Sequence, residues 1–131
     1  MNAISNLNDE LRTRAQDLVS AMLADLSGVS TVLVATADGF ELAAALRQRD
    51  EDPGRIAAMA SSIAAISAVV AAEAGLGNYK SVTINAEQGF AVVVAVPRTD
   101  IELIINVIAN SDAVLALVLH RANSMAKQLA A

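Results

Sequence analysis

The chain has 131 residues, enough for one domain, and its 55% hydrophobic and 18% charged content can bury enough apolar surface to fold, which excludes a disordered segment. A net charge of −5 and a pI of 4.6, with no cluster of lysine and arginine, exclude the basic stripe that neutralises phosphates, so nucleic acid is not an expected partner. The absence of cysteine excludes disulfides, thiolate metal sites and cysteine nucleophiles.

The opening MNAISNLNDELRTR lacks the basic start and apolar run of a signal peptide, so the cytoplasm is the expected compartment. Leu7, Leu11, Ala15, Leu18, Met22 and Leu26 step by threes and fours and predict an amphipathic helix over 5–26, with Ser5 or Asn6 as its cap and Gly28 just past its end. The β-branched run 29–36, the turn Ala37-Asp38-Gly39 and the segment 40–46 predict a hairpin. A charged loop from Arg47 to Gly54 contains Asp52-Pro53, which reads as an N-cap followed by a proline at the first helical position.

The second helix is predicted over 53–74 and is ended by Gly75 and Gly77. Strands follow at 79–85, 90–97 and 101–107, the first two joined by the turn AEQG, and a last helix at 111–129 is capped by Asn110 or Ser111. Leu115, Val118, Ala122, Met125 and Leu129 share one face of it. The order α-β-β-α-β-β-β-α over a single domain, 1–131, implies an α/β three-layer sandwich whose five-stranded sheet is mainly antiparallel. Phe40, Tyr79 and Phe90 are the whole aromatic supply, so the core is aliphatic and thin, and a partner surface can complete it.

The second helix carries the most information. At about 100° per residue, Ile56, Met59, Ile63, Ile66 and Val70 fall in one sector, expected to pack on the sheet. The opposite sector holds Ala57, Ala58, Ser61, Ala64, Ala65, Ala68, Ala71 and Ala72, where a solvated helix presents charge. Such a smooth face lets a second copy approach closely, and the following strand has only Lys80 to protect it at a sheet edge. The predicted homodimer interface is therefore Ala57, Ser61, Ala64, Ala65, Ala68 and Ala72 with Tyr79, Ser81 and Thr83. The plainer alternative is that alanine is simply the best helix former. The uncharged run 56–72 approaches the length of a short membrane span, but its alanines and serines drive insertion weakly, so no membrane insertion is expected.

Motifs for chemistry are missing. Gly75-Leu76-Gly77-Asn78-Tyr79-Lys80-Ser81 has tyrosine where a phosphate-binding loop needs glycine, and it leads into a strand. His120 stands alone, and Ser61, Ser62 and Ser67 have no base nearby in sequence. Asp50, Glu51 and Asp52 lack the pattern of a calcium loop and read as a solvated loop with a cap. No catalytic, cofactor-binding or metal-binding residue is assigned, and the chain is expected not to be an enzyme. Arg47, Arg49 and Arg55 flank the start of the second helix and are candidates to contact a partner; a charge-balanced loop is the alternative.

The segment LADLSGVSTVLVATADGFELA, the alanine-rich second helix and the hairpin VTINAEQGFAVVVAVP together resemble the roadblock family, which includes dynein light chains and bacterial relatives that serve small Ras-like GTPases. The resemblance spans nearly the whole chain. It implies dimers with a sheet continuous across the interface, the second helices on one side and the terminal helices on the other. It also implies a non-catalytic platform, here a bacterial homodimer, that binds a small Ras-like GTPase. A small-ligand sensor and a scaffold without a GTPase client remain as alternatives.

Overall fold

The computed structural model describes residues 2–48 and 50–130, with side chains described from residue 9 onward. Three helices and five strands follow in the expected order: α1 Asn2–Asp25, β1 Val29–Thr36, β2 Glu41–Leu46, α2 Pro53–Glu73, β3 Ser81–Ala86, β4 Gly89–Val96, β5 Leu103–Asn110 and α3 Leu115–Ala130. Every strand pairing is antiparallel, and the sheet order is β2-β1-β5-β4-β3. The hairpins β1–β2 and β3–β4 thus lie at opposite ends, with β5 joining them.

Alternation along the strands divides the core into two layers. Val32, Val34, Val92, Val94, Leu103, Ile105 and Val107 face α1 and α3, where they meet Leu11, Ala15, Val19, Met22, Val118, Ala122, Met125 and Leu129. Leu33, Ala35, Val93 and Ile104 face the other way, against Ile56, Ala57, Ala60 and Ala64 of α2. The first layer is the thicker. Each of its large aliphatic side chains contributes about 1.5–3 kcal/mol on burial.

Local chemistry sets most boundaries. The Asp52 carboxylate accepts from the backbone N–H of Gly54 (3.0 Å) and of Arg55, and Pro53 stands at the first turn, so α2 starts where expected. Gly28 turns the chain from α1 into β1 at φ +81°, close under Asn110 and Ala113, where a Cβ has no room. The expected caps at the chain's two outer helices are corrected. Ser5 and Asn6 lie inside α1. The Asn110 side-chain oxygen accepts from Asp112 N–H and its carbonyl from Ala113 N–H, so a turn intervenes and α3 begins at Leu115.

The face of α2 laid on the sheet is rotated from the expected one: it keeps Ile56 and the half-buried Ile63 but has alanines in place of Met59, Ile66 and Val70. Ala57, Ala60, Ala64 and Ala71 are buried there with Ile56, whereas Met59 (49% exposed), Ile66 (65%), Val69 (61%) and Val70 (59%) point away. The physical reason is volume. The sheet supplies the bulk with Leu33, Val93 and Ile104, and alanines let the helix backbone approach closely over them.

Candidate functional site

The outward face of α2 is a row of large apolar side chains, Met59, Ile66, Val69 and Val70, with Ile63 half-buried beside them. Glu73 at its end and Arg55 at its start are the charges on the helix. The adjoining strand β3 extends this surface, since Val82 packs against the α2-side core and Ile84, two residues on, shares its face and is exposed. On the opposite face of β3, Ser81, Thr83 and Asn85 are exposed and uncharged.

Strand β3 also ends the sheet. Ala95 N–H donates to Lys80 C=O at 3.0 Å, and the register pairs Val82 with Val93, Ile84 with Ala91 and Ala86 with Gly89. In an antiparallel ladder the bonded residues alternate, so Lys80, Val82, Ile84 and Ala86 turn their backbone groups to β4. Ser81, Thr83 and Asn85 turn theirs outward, off the sheet.

The other edge is guarded. Arg47 N–H bonds Ser30 C=O, which by the same alternation leaves the groups of Leu42 and Ala44 outward on β2. Helix α1 covers them: the Gln16 amide donates to Ala44 C=O at 2.9 Å and accepts from Ala44 N–H at 3.4 Å, and Arg12 donates to Leu42 C=O at 3.3 Å. One edge is thus closed by side chains, and the other, next to the apolar helix face, presents open backbone.

The expected interface residues divide into three groups. Ala57 and Ala64 are buried inside the fold and are withdrawn from the expected surface. Ser61 is half-buried beneath the β1–β2 turn at Gly39 and donates to Ala58 C=O at 2.9 Å. Ala65, Ala68 and Ala72 are exposed on α2, Tyr79 is half-buried, and Ser81 and Thr83 are exposed on β3. Sequence reasoning missed Met59, Ile66, Val69 and Val70, assigning three of them to the sheet. Their bulk was the misleading signal.

The partner-contact candidates fare differently. Arg47 donates to Val29 C=O at 2.7 Å and to Leu23 C=O at 2.6 Å, which commits its guanidinium to tying β2 against α1 and β1. It is corrected to a structural residue. Arg49 lies outside the described residues, and Arg55 is exposed on the first turn of α2.

Other polar groups are occupied by the fold. Glu51 accepts from the buried Thr31 hydroxyl at 3.0 Å, and Asp52 caps α2, which uses two members of the acidic run. His120 is exposed on α3, and among the described residues no three His, Asp or Glu side chains converge. Burial, and secondarily the Glu102 carboxylate, hold the Tyr79 phenol above its ordinary value. On β5, Asn106 is buried with its Oδ1 lacking a partner, while its Nδ2 reaches Val92 C=O only at 3.5 Å. Two surface hollows, one along α1 and one between Leu26 and Leu117, are both open to solvent.

Comparison with known proteins follows the same outline. The Roadblock/LC7 domain model matches residues 15–119. A Roadblock/LC7 domain from Streptomyces avermitilis superposes with a TM-score of 0.78 at 15% identity, covering 87% of this chain and 92% of that one. The gliding protein MglB from Thermus thermophilus gives 0.78 at 17% identity, over 92% and 88%. Myxococcus xanthus MglB gives 0.74 at 13% identity, over 94% and 86%. No curated protein matches the sequence.

Proposed function

This chain belongs to the Roadblock/LC7 domain family, and from that premise we propose that it is a non-catalytic, cytoplasmic module which pairs with a second copy of itself and, as a dimer, binds a small Ras-like GTPase. The observation that carries the dimer is the juxtaposition of an apolar outward helix face with an unguarded edge strand. Water against Met59, Ile66, Val69 and Val70 is unfavourable, and unpaired backbone at Ser81, Thr83 and Asn85 invites a strand. A second copy answers both with the same surface.

Family membership supports the GTPase, since the roadblock resemblance extends to relatives that serve such proteins. Likeness to two MglB proteins supports the fold on which that role is built. Against the ligand-sensor alternative, the hollow along α1 is lined by the exposed Asp9, Glu10, Thr13, Arg14 and Asp17 on the helix surface, unlike the concave, mostly apolar sites that enclose small ligands. The test is capture with the tagged protein from its native lysate, with a GTP analogue or GDP added, read by mass spectrometry. Enrichment of a Ras-like GTPase in one nucleotide state is the expected result, and recovery of the bait alone overturns the GTPase assignment.

A further inference from the structure

We propose that the hollow between the end of α1 and the start of α3 is a docking site for a partner polypeptide, which inserts an apolar side chain flanked by a basic one. The hollow lies on the α1 and α3 side of the sheet, away from α2, so this site is independent of the dimer and of the GTPase assignment above.

The chain places the walls. Gly28 turns the backbone out of α1, and its C=O accepts from Asn110 N–H at 2.8 Å, so the α1–β1 turn and the β5–α3 turn meet at one end of the sheet. Leu26 forms one wall, and Val114 and Leu117 form the other. On α3 the stripe Val118, Ala122, Met125 and Leu129 is spent on the core, whereas Val114 and Leu117 remain exposed. Arg121, one turn after Leu117 on the same side of α3, pairs with Asp25 at 2.8 Å and ties the two helices together. The walls are therefore held in place before anything binds, which spares an occupant the cost of ordering them.

Charge selects the occupant. Two carboxylates border the hollow, Asp25 and Asp112. Arg121 neutralises Asp25, while Asp112 has no ion pair among the described residues. An apolar side chain in the hollow meets Leu26, Val114 and Leu117. A lysine or arginine next to it meets Asp112, and Arg121 repels that cation from the other border, which fixes the direction of the segment. Two other occupants fit less well. At about 280 Å³ the hollow falls below the usual small-ligand pocket of about 300–1,000 Å³, and one unpaired carboxylate gives such a ligand little to orient it. A second copy carries a net charge of −5 and brings like charge to Asp112.

The test is amide NMR of the isotope-labelled full chain, titrated with three short end-blocked peptides. One carries leucine beside lysine, the second leucine beside glutamate, and the third serine beside lysine. The leucine–lysine peptide is expected to shift the amides of Leu26, Asp112, Val114 and Leu117. Binding of the leucine–glutamate peptide is expected to be weaker by about threefold or more, and that of the serine–lysine peptide by about tenfold or more. Leu117→Glu is expected to abolish the response. Asp112→Lys is expected to reverse the preference between the two leucine peptides, and because both positions are exposed the rest of the spectrum keeps its dispersion. Silence of these four amides at millimolar leucine–lysine peptide overturns the site. Equal binding of the two leucine peptides, or a preference that Asp112→Lys does not reverse, overturns the charge assignment that defines the occupant.

Discussion

Replacing Ile66 with glutamate tests whether the outward face of α2 is an interface. Complete burial of an isoleucine is worth about 1.5–3 kcal/mol, and 65% of Ile66 is still exposed in the single chain. Covering it therefore gains roughly 1–2 kcal/mol per copy. A two-fold dimer contains the residue twice, so Ile66→Glu forfeits roughly 2–4 kcal/mol, which raises Kd about 30- to 700-fold at 1.4 kcal/mol per tenfold. Carboxylates placed against an apolar partner add to that loss. Sedimentation equilibrium over a dilution series reads the change. Denaturation below the dissociation concentration, where both proteins are monomers, is expected to differ by no more than about 0.5 kcal/mol, as for an exposed position. Ala60→Leu is the converse. It forces extra methylenes between α2 and Leu33, Val93 and Ile104, and is expected to cost about 1–3 kcal/mol of fold stability. An unchanged Kd for Ile66→Glu, or a destabilisation of its monomer like that of Ala60→Leu, refutes the assignment of the two faces.

Three further outcomes follow from the polar groups. Asn106→Leu removes a buried amide whose Oδ1 has no partner, so chemical denaturation is expected to show a gain of about 1–3 kcal/mol; a loss means that a donor reaches the oxygen in solution. Asp52→Ala frees two N–H groups at the start of α2 and is expected to cost about 0.5–2 kcal/mol by the same measurement, and a neutral result refutes the cap. Tyr79 is the sole tyrosine, so ultraviolet absorbance on alkaline titration reads it alone. Its folded pKa lies above 10, so the stability linked to it is full below pH 10 and is lost as the pH rises through the folded value. Glu102→Gln is expected to lower the midpoint, and a midpoint that does not move removes the carboxylate as a cause.

Much of the architecture was legible because it is written in local rules. Asp52-Pro53 marks a helix start through a carboxylate, a missing N–H and a preset φ, none of which depends on distant residues. The first strand was legible for the same kind of reason, as β-branched residues flanked by Gly28 and Asp38-Gly39. Boundaries slipped where a strand continued on tertiary support. Strand β5 runs on to Asn110, whose N–H reaches Gly28 C=O on the far side of the turn, and that bond is invisible in the local sequence. Arg47 likewise read as a candidate partner contact or as part of a charge-balanced loop, because the carbonyls of Leu23 and Val29 that hold it come together only in the fold.

The rotated face of α2 has a deeper cause. Periodicity separates faces when one is apolar and the other polar, but this helix is apolar on both, and only the size of the side chains differs. Size alone favours neither assignment, since bulky residues can fill a core and small ones can permit close approach. What decides is the bulk already on the opposing strands, and Leu33, Val93 and Ile104 leave little depth for isoleucine above them. A helix with alanines inward and Met59, Ile66, Val69 and Val70 outward is therefore an unfinished core. Its outer layer needs another surface, and the strand beside it, open at Ser81, Thr83 and Asn85, offers the backbone on which a second copy can supply one.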